Sequence, residues 1–108
     1  MITNRTKNFV VSKDKKICLS VFSKMKGLMF TLKPKTLVFV NNKEIPTPIH
    51  MMFMFYPIDV LWLDAGKKVV HKQTLKPFGF SKNISAKYVV ELPAGAADKV
   101  SVGDLIEF

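Results

Sequence analysis

Short apolar runs broken by polar turns recur along the whole chain. They keep the two-residue period of strands rather than the 3.6-residue period of helices. "NFVVS", 8–12, predicts a first strand, followed by the polar turn "SKDKK". In "ICLSVFS", 17–23, Ile17, Leu19 and Val21 alternate with Cys18, Ser20 and Phe22. "MKGLMF" breaks the alternation and predicts a turn of helix; "TLVFVNN", 36–42, predicts the next strand. "NKEIPTP" carries two prolines and is expected to be a loop, since proline cannot donate to a ladder. "IHMMFMFYPIDVLWLD", 49–64, predicts two strands, 49–56 and 58–64, bent at Pro57. "DAGKK" is a tight turn that pairs 58–64 with 68–74 as a hairpin. "LKPFGFSKNIS" is expected to be an exposed loop, "KYVVELP" (87–93) a strand, and "AGAADKV" a short helical turn. Gly103-Asp104 then turns the chain into a last strand, 105–108.

Eight short strands and two single helical turns predict a mainly β domain, either a small barrel or a jelly-roll-like sandwich. At 108 residues it is expected to be one domain, 1–108, large enough for a single modest core. The apolar share of 48% against 23% charged residues is that of a folded protein rather than a disordered one. The densest apolar stretch is too short for a membrane helix: Lys43 and Glu44 precede it, and Pro57, Asp59 and Asp64 interrupt or close it. A lone cysteine, Cys18, forbids an internal disulfide, and the first sixteen residues hold no apolar block of signal-peptide length. Both point to a cytoplasmic setting.

Charge is distributed unevenly. Residues 1–58 carry ten bases against Asp14 and Glu44, whereas residues 59–108 carry seven lysines against six acids; the halves sum to the net charge of +9. A basic half can draw in a polyanion such as nucleic acid, with Lys24, Lys26, Lys33 and Lys35 as candidates. Yet only Arg5 offers the planar fork that grips phosphate or guanine, and a lysine-rich surface is more often merely solvated.

Few residues suggest chemistry. On a strand, His50, Met52 and Met54 share a face, a donor set suited to Cu(I); methionines filling core gaps are the commoner cause of such rows, so no metal is assigned. No cysteine or histidine pairing supports zinc, no acidic loop supports calcium, and no cofactor is predicted. Asp59 lies between apolar strands and must be compensated there, either by backbone N–H groups at the bend or as a perturbed carboxylate facing a pocket. Glu91, in "VVELPAG", has the same two readings. Phe78 and Phe80, between Lys76 and Lys82, suit either a lid or base stacking. Cys18 reads as packing, and His71, on the hairpin, is expected to be exposed.

Four motifs occur in a fixed order: "GLMF" (27–30), "PIDVLWLD" (57–64), "VVELPAG" (89–95) and "VGDLIEF" (102–108). Together they resemble the domain-of-unknown-function 192 family of bacteria and archaea, over about residues 17–108. The resemblance implies a compact mostly-β fold and no settled activity. Many members carry Trp-Met-Lys-Asn-Thr where this chain has His50 to Met54, and arginine where it has Thr31. Members are often exported or lipid-tethered.

The leading functional expectation is a noncatalytic module that binds a small molecule or a protein. Its pocket would lie at one mouth of the fold near His50, Asp59 and Glu91, rimmed by Phe78 and Phe80. One alternative is a small enzyme using Asp59 or His50 as acid or base. The other is weak polyanion binding through the basic half.

Overall fold

A computed structural model describes residues 1–13, 16–18, 36–46, 57–76, 81 and 84–108, with the backbone alone at 16–18. Among the described residues eight strands run in chain order: β1 Ile2–Asn4, β2 Phe9–Ser12, β3 Lys16–Cys18, β4 Leu37–Pro46, β5 Ile58–Leu63, β6 Val69–Leu75, β7 Ser85–Pro93 and β8 Ile106–Glu107. They form two sheets, a small one in the order β2-β1-β8 and a larger one in the order β3-β4-β7-β5-β6. All pairings are antiparallel except β3 with β4. This is the sandwich form of the mainly β expectation; among the described residues the sheets do not close into a barrel.

Two faces of the larger sheet carry separate apolar clusters. β5 explains why: "IDVLWL" is buried at every position, as a strand with cover on both sides must be. Its alternation sends Ile58, Val60 and Trp62 to one cluster, with Leu37, Phe39, Leu75, Ala86 and Val89. Leu61 and Leu63 join the other, with Val38, Val69, Val90 and Leu92. That second cluster also takes Ile2 and Ile106 from the small sheet and Ala97 and Val100 from the 94–100 segment. It is the layer between the sheets.

The C-terminal segment ties the sheets together. β8 pairs with β1, while Val69 N–H donates to Asp104 O (2.9 Å), Gly103 N–H to Val69 O (2.7 Å) and Ile106 N–H to Lys67 O (2.9 Å). Gly103 adopts φ +97°, a backbone region that side chains disfavour. The hairpin turn between β5 and β6 is held by Asp64, whose Oδ1 accepts from Gly66 and Lys68 N–H, both at 2.9 Å. Asp in this role is a local acceptor that mimics a backbone turn.

Several expectations need correction. β1 is a strand that the periodicity did not reveal, because three residues are too short to show alternation. "NKEIPTP" is not loop throughout: β4 continues to Pro46, which pairs with Ser85 at the end of the ladder. There a missing N–H matters least. Between Val40 and Ile45 the register slips, and Lys87 Nζ satisfies the displaced carbonyls of Asn41 (2.9 Å) and Asn42 (3.1 Å). Asn41 Nδ2 in turn donates to Ala86 O at 3.0 Å. Residues 94–100 are successive turns rather than a helical turn, and no helix occurs among the described residues. The strand at 49–56, the helical turn at 25–30 and most of the 76–82 loop lie outside the described residues, though Ser81 is buried rather than exposed.

Candidate functional site

Register places the two buried acids of the larger sheet back to back. Asp59 pairs with Leu92 and Thr74, so it shares the inter-sheet face with Leu61 and Leu63. Glu91 pairs with Val60 and Leu37, so it projects from the opposite face. A pleated strand turns neighbouring positions to opposite sides, and Glu91 precedes Leu92 by one. The structure therefore does not bring Asp59 and Glu91 together.

Asp59 is 1% exposed and fully engaged. Oδ1 accepts the Thr74 hydroxyl at 2.7 Å; Oδ2 accepts Gly95 N–H at 2.9 Å and Ala97 N–H at 3.0 Å. The carboxylate thus accepts backbone N–H groups, as one reading of the sequence expected. They come from the 93–100 segment, however, and not from the bend at Pro57. The segment itself is a run of turns, with Ala96 N–H donating to Pro93 O, Asp98 N–H to Gly95 O and Val100 N–H to Ala97 O. Gly95, at φ +92°, completes that turn.

Glu91 stands in contrast. It is 4% exposed, and its Oε2 has no hydrogen-bond partner. Burial without compensation raises its carboxyl from 4.5 to about 8, so at neutral pH it is an un-ionised acid able to donate as well as accept. Around it lie Leu37, Phe39, Val60, Trp62 and Val89, all buried.

His71 joins the same face, and the expectation that it is exposed is corrected. It pairs with Trp62, its ring sits 5.1 Å from the indole, and its Nε2 is buried without a partner. Nothing in "KKVVHKQ" signals this, since only the β5–β6 register turns His71 toward Trp62. Glu91 and His71 are two strands and two residues apart, with Val60 and Trp62 between them. That is roughly 12 Å between their Cα positions. Buried polar atoms are nearly always paired, so two orphans on one face mark it out.

A second polar cluster lies where the chain's two ends meet. Asp104 Oδ2 accepts Asn4 Nδ2 at 2.8 Å and Ser101 N–H at 2.9 Å, with Lys7 Nζ at 3.1 Å. Lys7 Nζ also donates to Lys99 O (2.9 Å) and Ser101 Oγ (2.7 Å). Burial alone would raise the Asp104 carboxyl, but the Ser101 N–H, the Asn4 amide and the Lys7 ammonium outweigh it and hold it below the usual range. Every group here has a partner, so the cluster reads as a clasp.

His50, Phe78, Phe80, Lys24, Lys26, Lys33 and Lys35 lie outside the described residues. Among those described, no group of three His, Cys, Asp or Glu is arranged to hold a metal ion. Among the described residues no helix is long and apolar enough to cross a membrane.

Comparison with known proteins agrees with the motif order. The model of the DUF192 family, described as an uncharacterized ACR, matches residues 3–108. The chain belongs to the DUF192 family. Its relatives include a UPF0127 protein of Thermococcus sibiricus, 35% identical over all of this chain and 74% of that protein. Another, from Pyrococcus horikoshii, is 34% identical over all of this chain and 98% of its own length. Two crystal structures share the fold. A protein of unknown function from Novosphingobium aromaticivorans superposes with a TM-score of 0.75 at 18% identity, covering 87% of this chain and 74% of that one. A candidate transcription regulator from Sinorhizobium meliloti gives 0.76 at 20% identity, covering 86% and 79%. The family match begins near the first strand, so the likeness covers more of the chain than the four motifs alone.

Proposed function

We propose that this DUF192 chain is a noncatalytic binding module whose ligand contacts lie on the Glu91 face of the larger sheet. One observation carries the reading: Glu91 Oε2 is buried and unpartnered above an apolar floor. Evolution rarely leaves an acid in that position for stability, because leucine would fill it at lower cost. A bound molecule that hydrogen-bonds the carboxyl would offset the burial. Asp59 is assigned to the fold, since its three accepted hydrogen bonds leave it little capacity for a ligand or for proton transfer. The acid–base reading through Asp59 loses its support accordingly. His50, Phe78 and Phe80 remain proposed further contacts, on the grounds of sequence alone.

The test is an amide NMR map of the labelled protein, titrated first with a metabolite mixture and then with a short single-stranded oligonucleotide. The reading expects metabolite-induced shifts clustered at Val60–Trp62, His71–Gln73 and Val89–Glu91. Shifts that arise only with the oligonucleotide, and vanish as salt rises, would replace it with polyanion binding through the basic half.

A further inference from the structure

We infer that the outer face of the small sheet is an interaction surface for a second copy of this chain, packed face to face about a two-fold axis. It lies apart from the Glu91 face and does not depend on a ligand there.

Exposure picks out the surface. Among the described residues five large apolar side chains are exposed, Met1, Val10, Val70, Val102 and Leu105, at 38% to 63%. Scattered singly, such residues are ordinary; gathered on one face they mark a contact surface. Register gathers these. Ile2 and Ile106 turn into the inter-sheet layer, and Phe9 and Val11 pack against it. Alternation therefore sends Thr3, Val10, Leu105 and Glu107 to the outer side. Val10 pairs with Thr3 and Thr3 with Glu107, so that side runs across β2, β1 and β8. Leu105 is bridged to Lys68, and Val69 turns inward, so the face continues onto the start of β6, where the exposed Val70 follows. Val102 stands in the adjoining turn, next to Gly103, whose N–H donates to Val69 O at 2.7 Å. Met1 precedes the inward Ile2 on β1.

Charge names the occupant. Arg5 Nη1 lies 3.1 Å from Glu107 Oε2, and both side chains are more than half exposed, at 58% and 61%. A surface that carries the two signs side by side is complementary to itself when turned about a two-fold axis. One copy's Arg5 then meets the other's Glu107, and the reverse. Both ion pairs are kept while the apolar side chains around them leave water. A uniformly anionic partner, such as a nucleic acid or an acidic membrane, would gain at Arg5 and lose at Glu107. Three strands about 4.8 Å apart make a small face, so the contact belongs to the class below about 1,200 Å² and the dimer is weak.

The experiment is sedimentation equilibrium of the whole chain, from about 10 μM to about 1 mM, with amide spectra over the same range. A monomer–dimer equilibrium is expected, with a dissociation constant on the order of 0.1 mM, and dilution should shift the amides of Thr3, Val10 and Leu105. Val10→Lys, at an exposed position, should weaken the dimer at least about tenfold. Arg5→Glu and Glu107→Arg each leave the pair with a single sign and should weaken it similarly. Mixed in equal amounts, the two charge variants should associate at least as tightly as the parent, because each supplies the charge that the other lacks. Dispersed spectra confirm that each variant is folded. A parent chain that stays monomeric at about 1 mM overturns the inference. So does a dimer that Val10→Lys leaves intact, or a mixture of the charge variants no tighter than either alone. A monomer whose same amides shift with phosphatidylglycerol vesicles would also overturn it, and would assign the face to a lipid surface.

Discussion

Asp59 and Glu91 differ in what surrounds them far more than in chemistry. Asp59 has three donors; Glu91 Oε2 has none. Removing the first acid should therefore be costly. Asp59→Ala strands two amides and a hydroxyl, and should lower stability by about 3 kcal/mol in urea unfolding; Thr74→Val should cost about 1 kcal/mol. Removing the charge capacity of the second should do the reverse. Because the folded carboxyl of Glu91 titrates at about 8 rather than 4.5, the unfolded chain releases its proton first as pH rises. The contribution of Glu91 to stability is thus fully present below 4.5 and declines toward about 8, at up to about 1.4 kcal/mol per pH unit. Urea midpoints measured across that range should show this slope in the parent and lose it in Glu91→Gln. Sequence alone identified both acids as buried and compensated or perturbed, but it could not separate them. The deciding fact is the register of β5 and β7, which fixes the face, and the partners of Asp59, which lie some 36–38 positions downstream. The burial of the His71 Nε2 depends on register in the same way, through the pairing of His71 with Trp62.

At the scale of elements, alternation in apolar stretches located most of the strands, and it failed where strands are short or irregular. β1 has three residues, and β4 survives a register slip because Lys87 and Asn41 supply the hydrogen bonds that the ladder loses there. The clasp of Asn4, Lys7, Ser101 and Asp104 binds the β1–β2 hairpin to the last turn, across up to 100 positions of chain. Asn4→Ala removes its centre and should cost about 2 kcal/mol, with hydrogen exchange quickening at β1 and β8. The Asp104 carboxyl is held low, so its contribution is present above the ordinary carboxylate range and is lost as pH falls through the lowered value. Acid therefore loosens this clasp, whereas alkali burdens Glu91. Gly103 isolates a backbone effect: a Cβ there would meet nothing within 4 Å, yet φ is +97°. Gly103→Ala should destabilise by about 1–2 kcal/mol from conformation alone, read as a lowered urea midpoint.

On the scale of the whole molecule, the two sheets and the C-terminal segment that joins them form a scaffold with unlike faces on its larger sheet. The inter-sheet layer is closed by partnered groups such as Asp59, whereas the opposite face holds the orphaned Glu91 and His71. Both faces carry core clusters, and the Glu91 face is in addition proposed to meet a ligand. The claim most exposed to test is that Glu91 lies uncharged on a sealed apolar face. Carbon-13 labelling of the glutamate side chains allows the Glu91 carboxyl to be followed by NMR through a pH titration, with Glu91→Gln assigning its signal. A midpoint near 8 is predicted. A midpoint in the ordinary carboxylate range would mean that Glu91 is solvated or paired, and would remove the basis for a ligand site on that face.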